Sequence, residues 1–183
     1  MSGPIPPQGR AVLLITGVQA AGKTTVARRI AQRLPKSVHL PGDGFRRMIV
    51  NGRVDMAPDP PEAAIEQLRL RHRLTASTAD AYFDAGFTVV AQDVVLGAHL
   101  AELVGAVRSR PLLVVVLAPS IEAVAERDAA RGGAAYDRWE VEALDAVLRQ
   151  RTPRLGLWLD TSRQSPEQTA DEVLRRAWTD AVV

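Results

Sequence analysis

The sequence predicts an α/β sandwich of three layers, a parallel sheet of about five strands covered by helices on both faces, with a helical lid. Two observations carry that prediction. Apolar runs such as Ala11–Thr16 (AVLLIT) and Leu112–Ala118 (LLVVVLA) are continuous rather than alternating, as in strands buried on both faces of a parallel sheet. Between such runs the period changes to that of an amphipathic helix. The first case is Lys23–Leu34, where Val26, Ile30 and Leu34 recur every four residues until Pro35 stops the helix.

The remaining elements follow in order. Ser37–Leu40 is a short strand, Pro41-Gly42-Asp43-Gly44 a turn, and Phe45–Val50 a brief helix ended near Asn51-Gly52. A loop punctuated by prolines, Asp55–Pro61, leads into a long helix over Glu62–Asp84. Phe87–Ala91 reads as a buried strand, His99–Arg108 as a helix and Leu112–Ala118 as a strand, with Pro119 opening another helix at its first turn. Arg131-Gly132-Gly133 interrupts that helix, and Trp139–Gln150 resumes it. Leu157–Leu159 is a short strand. Ser165-Pro166 caps a last helix whose Val173, Leu174, Ala177 and Trp178 face inward.

Composition bounds the chemistry. A chain of 183 residues with 46% hydrophobic and 24% charged residues suits one globular domain, 1–183, with 1–10 as a flexible tail. Absence of cysteine excludes thiol catalysis, zinc-thiolate sites and iron-sulfur clusters. The net charge of +2 and only 4% aromatics argue against a nucleic-acid partner, which would call for a basic groove with stacking rings. No apolar run approaches the roughly 18 residues of a membrane span, and Met1–Arg10 has no apolar core of a secretory signal, so a cytoplasmic location is expected. His39, His72 and His99 have no metal-ligand spacing.

The chemistry lies in Gly17-Val18-Gln19-Ala20-Ala21-Gly22-Lys23-Thr24, which fits GxxxxGK[ST] between a buried strand and a helix N-terminus. Glycines let successive N–H groups turn inward and form an anion nest at the positive end of the helix dipole. Gly17, Ala20, Ala21, Gly22, Lys23, Thr24 and Thr25 are therefore expected to hold the phosphates of ATP. Lys23 supplies a mobile charge, and the Thr24 hydroxyl a ligand for Mg²⁺.

Ligands of such sheets bind beyond the carboxyl ends of the strands. Asp43, in the glycine turn after the second strand, can accept a proton from an acceptor hydroxyl or can N-cap the helix that follows. Arg46, one turn later, can hold a polar or anionic part of the acceptor. Asp93 follows the third strand and suits the metal shell; because neighbouring strand residues face opposite ways, either Gln92 or Asp93 can aim at the metal, not both. Arg127 and Arg131 share a helix face, and a lid over residues 127–138 would bring them to the transferring phosphoryl group. Trp158 packs or walls the nucleotide pocket.

With these residues in hand, the chain resembles the P-loop small-molecule kinases, and among them the chloramphenicol phosphotransferase-like group. The glycine turn with Asp43 is similar to that group's catalytic aspartate segment. Ala85–Gly97 is similar to its third-strand segment, Ala130-Arg131-Gly132 to its lid, and Asp160-Thr161 to the pair that opens its final helix near adenine. The resemblance implies a P-loop NTPase-type sandwich and an ATP- and Mg²⁺-dependent transfer to a hydroxyl of a small molecule, with Asp43 as the base. Gln92 replaces a second acidic residue of that group, and Arg47–Arg73 has no counterpart in it. Asp43-Gly44-Phe45-Arg46 also resembles the DxxR of adenylylsulfate kinases. The competing expectations are a nucleoside monophosphate kinase and a regulatory ATPase.

Overall fold

The computed structural model describes residues 9–57, 59–130 and 138–183. Its centre is one parallel five-stranded sheet in the order β2-β3-β1-β4-β5, formed by β1 (Val12–Gly17), β2 (Ser37–Pro41), β3 (Thr88–Gln92), β4 (Leu112–Leu117) and β5 (Leu157–Leu159). Every residue of β1, β3 and β4 is buried, which is why their sequences run apolar without alternation. Each buried Leu or Val contributes about 1.5–3 kcal/mol, so the three central strands carry much of the stability.

The helices are α1 (Lys23–Arg33), α2 (Asp43–Arg47), α3 (Glu62–Asp84), α4 (Ala98–Ala106), α5 (Ile121–Ala129), α6 (Arg138–Ala146) and α7 (Pro166–Asp180). Helix α7 packs on α1, where Arg29 pairs with Glu167, and Arg33 with Asp171 at 2.6 Å. Its N-terminus is a full capping box: the Ser165 hydroxyl accepts from the Gln168 amide, and the Gln168 side chain accepts from the Ser165 amide.

Three local expectations are corrected. Pro119 does not open α5: the Ser120 hydroxyl accepts from the Ala123 amide, so the helix starts one residue after this cap. The helix expected over Phe45–Val50 begins at Asp43, with Gly42 as its N-cap, so Asp43 is the first helical residue rather than the cap. The helix expected to run to Gln150 changes pitch at Val147 into a five-residue π turn, Val147–Arg151. There Arg149 is bound by both Asp145 oxygens at 2.9 Å and donates to the Pro119 carbonyl at 2.9 Å, fastening the turn to the end of β4.

Candidate active site

The order β2-β3-β1-β4-β5 puts the loop after β1 at the middle of the carboxyl edge, with β3 on one side and β4 on the other. Gly17 leaves β1 with φ at +146°, and a Cβ there would stand 2.4 Å from the Leu117 carbonyl oxygen, so only glycine lets the loop pass β4 this closely. Ala20 and Gly22 also have positive φ, at 57° and 95°, which turns the loop around a concavity. Gly22 N-caps α1 and offers no side-chain oxygen to the first turn of the helix, whose positive end faces this concavity. Lys23 is buried, and its Nζ donates to the Val18 carbonyl at 2.7 Å; Thr24 and Thr25 are exposed.

Asp93 stands just past β3 and is 4% exposed. Its Oδ1 accepts from the Val94 amide at 2.8 Å. Its Oδ2 lies 2.9 Å from Arg71 Nε of α3, an ion contact out of hydrogen-bond alignment that leaves this buried oxygen without a hydrogen-bond donor. The carboxylate also presses on Gly42, where a Cβ would be 2.5 Å from Oδ2. Burial pushes the Asp93 carboxyl up, Asp43 adds to this, and Arg71, the Val94 amide and Lys23 oppose it. It is thus Asp93 whose carboxylate sits in the field of Lys23. A buried carboxylate oxygen with spare lone pairs is the kind of ligand that a hard cation such as Mg²⁺ takes.

Asp43 opens α2 with its side chain 42% exposed. Arg46 approaches its Oδ1 at 3.2 Å and Arg47 its Oδ2 at 3.3 Å. Arg46 also binds Asp55, so one guanidinium ties α2 to the loop that follows it. Arg127 lies on the other side of the phosphate loop. It donates to the Thr161 carbonyl at 2.5 Å and reaches the Ala21 carbonyl at 3.4 Å. Thr161 is buried with its hydroxyl unpartnered, and Asp160 accepts from the Ser162 amide and hydroxyl. Trp158 is half-buried, bonded to the Leu155 carbonyl and covered by Arg154 at 4.1 Å. Arg131 and most of the expected lid fall outside the described residues.

Phosphate loop, Asp93 and Asp43 are therefore brought to one edge, with Arg46 beside Asp43 and Arg127 beside Ala21. Arg71 was not foreseen. It is one of 21 arginines, and nothing in the pattern of α3 sets it apart from Arg69 or Arg73. Nor was the cavity of about 200 Å³ between α2, the 48–56 segment and α3, which Phe45, Arg46, Leu68 and Arg71 help to line.

The model of the AAA domain family matches residues 12–154. The chain belongs to this family. No curated protein is significantly similar to it. Among solved structures, this AAA-domain chain superposes on a sugar kinase from Janibacter sp. with a TM-score of 0.67 and 24% identity, covering 91% of this chain and 93% of that one. The tunicamycin resistance protein of Deinococcus radiodurans gives 0.66 and 19%, covering 91% and 94%. The Mycobacterium tuberculosis APS kinase in complex with AMPPNP and APS gives 0.65 and 19%, covering 92% and 97%. At these identities the likeness establishes the fold alone, a parallel sheet between layers of helices. Among the described residues no helix is long and apolar enough to cross a membrane.

Proposed function

We propose that the chain is an ATP-dependent phosphotransferase that moves the γ-phosphoryl of ATP to a hydroxyl of a small molecule. The observation that carries this reading is a pair of carboxylates of opposite character at the phosphate loop: Asp43, 42% exposed, and Asp93, buried in the field of Lys23. Transfer to an alcohol needs both. A reachable base must take the hydroxyl proton, and a fixed negative charge must organise the cation that accompanies the nucleotide.

In this reading Gly17, Ala20, Ala21, Gly22, Thr24 and Thr25 cradle the phosphates, and Lys23 leaves the Val18 carbonyl to meet them. The acceptor oxygen forms a bond to the γ-phosphorus while the bond to the β,γ-bridging oxygen breaks. ADP departs and the hydroxyl proton passes to Asp43. Arg46 orients Asp43, and Arg127 with Arg131 offsets charge on the moving phosphoryl group. Thr24 and Asp93 would hold Mg²⁺, which when bound neutralises phosphate charge.

The test is transfer from γ-labelled ATP with Mg²⁺ to a panel of hydroxylated antibiotics, sugars, nucleosides and nucleoside monophosphates. Lys23→Ala should abolish transfer, and Asp43→Asn should abolish it while leaving equilibrium ATP binding intact. Turnover retained in Asp43→Asn would remove it from the base role, and labelling of monophosphates alone would make the chain a nucleoside monophosphate kinase.

A further inference from the structure

Most of the large apolar side chains that the fold leaves exposed are gathered in one place. Of the seven among the described residues, Met48 (71% exposed), Met56, Leu70 and Leu74 line the cavity between α2 and α3. Val50 lies two residues from Met48. Such clustering at a concave site marks a binding surface, whereas exposed apolar residues scattered singly need no explanation. Exposed methionines suit an apolar guest whose shape the wall must follow.

The cavity floor connects to the chemistry. Arg71 lines it and touches Asp93; Arg46 lines it and touches Asp43. Both cations are already balanced, Arg71 by Asp93, and Arg46 by Asp43 and Asp55. The other polar lining group, Gln67, spends its amide on the opposite wall: its Oε1 accepts from the Val54 amide at 2.9 Å, and its Nε2 donates to the Gly52 carbonyl at 2.8 Å. That pair of bonds holds the 52–56 segment over the cavity as a fixed side. An anionic acceptor entering here would meet no unbalanced cation among the described lining residues and would be desolvated against methionine and leucine.

Resting on the phosphotransferase reading above, we propose that this cavity takes an uncharged acceptor with an apolar body, seated between α2 and α3 so that its hydroxyl faces Asp43. At about 200 Å³ the cavity is smaller than the roughly 300–1,000 Å³ of sites for drug-sized ligands, so it encloses one apolar moiety and leaves the rest of a larger acceptor outside.

The test uses the full chain and two readouts. The first is fluorescence titration with N-phenyl-1-naphthylamine, an uncharged apolar probe, for wild type and for Leu74→Glu. Leu74 is 38% exposed, so the variant should keep its far-ultraviolet circular dichroism and its ATP affinity. Its affinity for the probe should fall about tenfold or more, the effect of losing one apolar contact and adding a charge. Leu70→Glu is the second variant, and Tyr82→Glu, an exposed position outside the cavity, should leave the probe affinity unchanged. The second readout is transfer from γ-labelled ATP to neutral alcohols with aryl or alkyl bodies and to the same alcohols bearing a carboxylate. The neutral member of each pair should be the better acceptor by about tenfold or more in kcat/KM.

Equal probe affinity in wild type, Leu70→Glu and Leu74→Glu would overturn the proposal. So would transfer that favours the charged acceptors, and in that case the phosphotransferase reading would stand. If the probe is displaced by neutral alcohols and lost in both variants while none is phosphorylated, the cavity assignment holds and the phosphotransferase reading fails.

Discussion

Arg71 on α3 brings its Nε to 2.9 Å from Asp93 Oδ2 beyond β3, so the wall of the apolar cavity and the buried carboxylate at the end of β3 share one ion pair. Asp93 is nearly sealed from water and Arg71 is 13% exposed, so neither charge is well solvated without the other. Replacing the cation strands the carboxylate. Arg71→Leu should lower stability by about 3 kcal/mol at neutral pH, and Arg71→Lys should recover part of it. The loss should shrink in acid. Burial already holds the folded-state pKa of Asp93 above its unfolded value, and losing Arg71 raises it further. A raised carboxylate pKa means the folded state binds the extra proton, so stability falls as pH rises through the window above about 4. Urea unfolding at pH 5 and pH 8 checks this; an equal loss at both would show that packing, not charge, is what Arg71 supplies.

Gly156, just before β5, is a position where geometry leaves no choice. Its φ is +66°, and a Cβ would stand 2.1 Å from the Val114 carbonyl oxygen and 2.8 Å from the Val114 Cβ. Val114 lies in the fully buried β4, so the obstruction cannot move aside. Gly156→Ala should cost about 3 kcal/mol or more, from backbone strain and a core clash together. Gly52 is the comparison, with φ at +76° and open space around its Cα. Gly52→Ala should therefore cost only about 1 kcal/mol. Similar thermal unfolding midpoints for the two variants would count against the clash.

These contrasts also explain what was legible in the sequence. Strand burial writes itself as continuous apolar runs, and the tight turn between β1 and α1 as glycines at fixed spacing, so the sheet and this strand-loop-helix unit were both readable. Gly17 was readable as a loop glycine, but not its approach to the Leu117 carbonyl, which depends on the neighbouring strand. That the Asp93 carboxylate turns toward Lys23 and Gly42 was not readable, because it depends on how the end of β3 meets its neighbours. Arg71 and the cavity were hidden for one reason. They arise where α2 and α3 pack together, and exposed apolar residues carry no helical or strand period. The start of α5 was misplaced because a proline and a serine compete as start signals; the serine prevails through its bond from the Ala123 amide.

Asp80 illustrates a carboxylate with a purely structural task. Buried on α3, it accepts from the Arg108 amide at 3.1 Å, the Ser109 amide at 2.8 Å and the Ser109 hydroxyl at 2.6 Å, and so holds the segment leading into β4. Burial would raise its pKa, but these bonds and the nearby Arg108 charge prevail and hold the carboxyl below its ordinary value. The resulting stability is present above the unfolded pKa and is lost as pH falls through the folded one. Asp80→Ala leaves two backbone donors unpaired and should cost about 2 kcal/mol. Chemical unfolding at neutral pH measures it, and hydrogen exchange of the Arg108 and Ser109 amides should accelerate; unchanged exchange would mean that Asp80 does not hold this segment.

His72 should make the protein acid-sensitive well above the carboxylate range. It lies buried between α3 and α4, with neither ring nitrogen hydrogen-bonded, and meets His99 edge-to-face at 5.9 Å. Burial pushes its pKa down to about 4; the Arg71 and His99 charges add to this, and Glu102 opposes it. In the unfolded chain the imidazole returns to about 6.5, so between these values the unfolded state binds the additional proton. Stability should therefore decline as pH falls from about 6.5 toward 4, by up to roughly 3 kcal/mol at 1.36 kcal/mol per unit. His72→Leu removes the titrating group and keeps an apolar side chain in place. Its stability should exceed wild type at pH 5 by more than at pH 8, and urea midpoints at the two values measure the difference. Parallel pH profiles for wild type and His72→Leu would show that the acid sensitivity lies elsewhere.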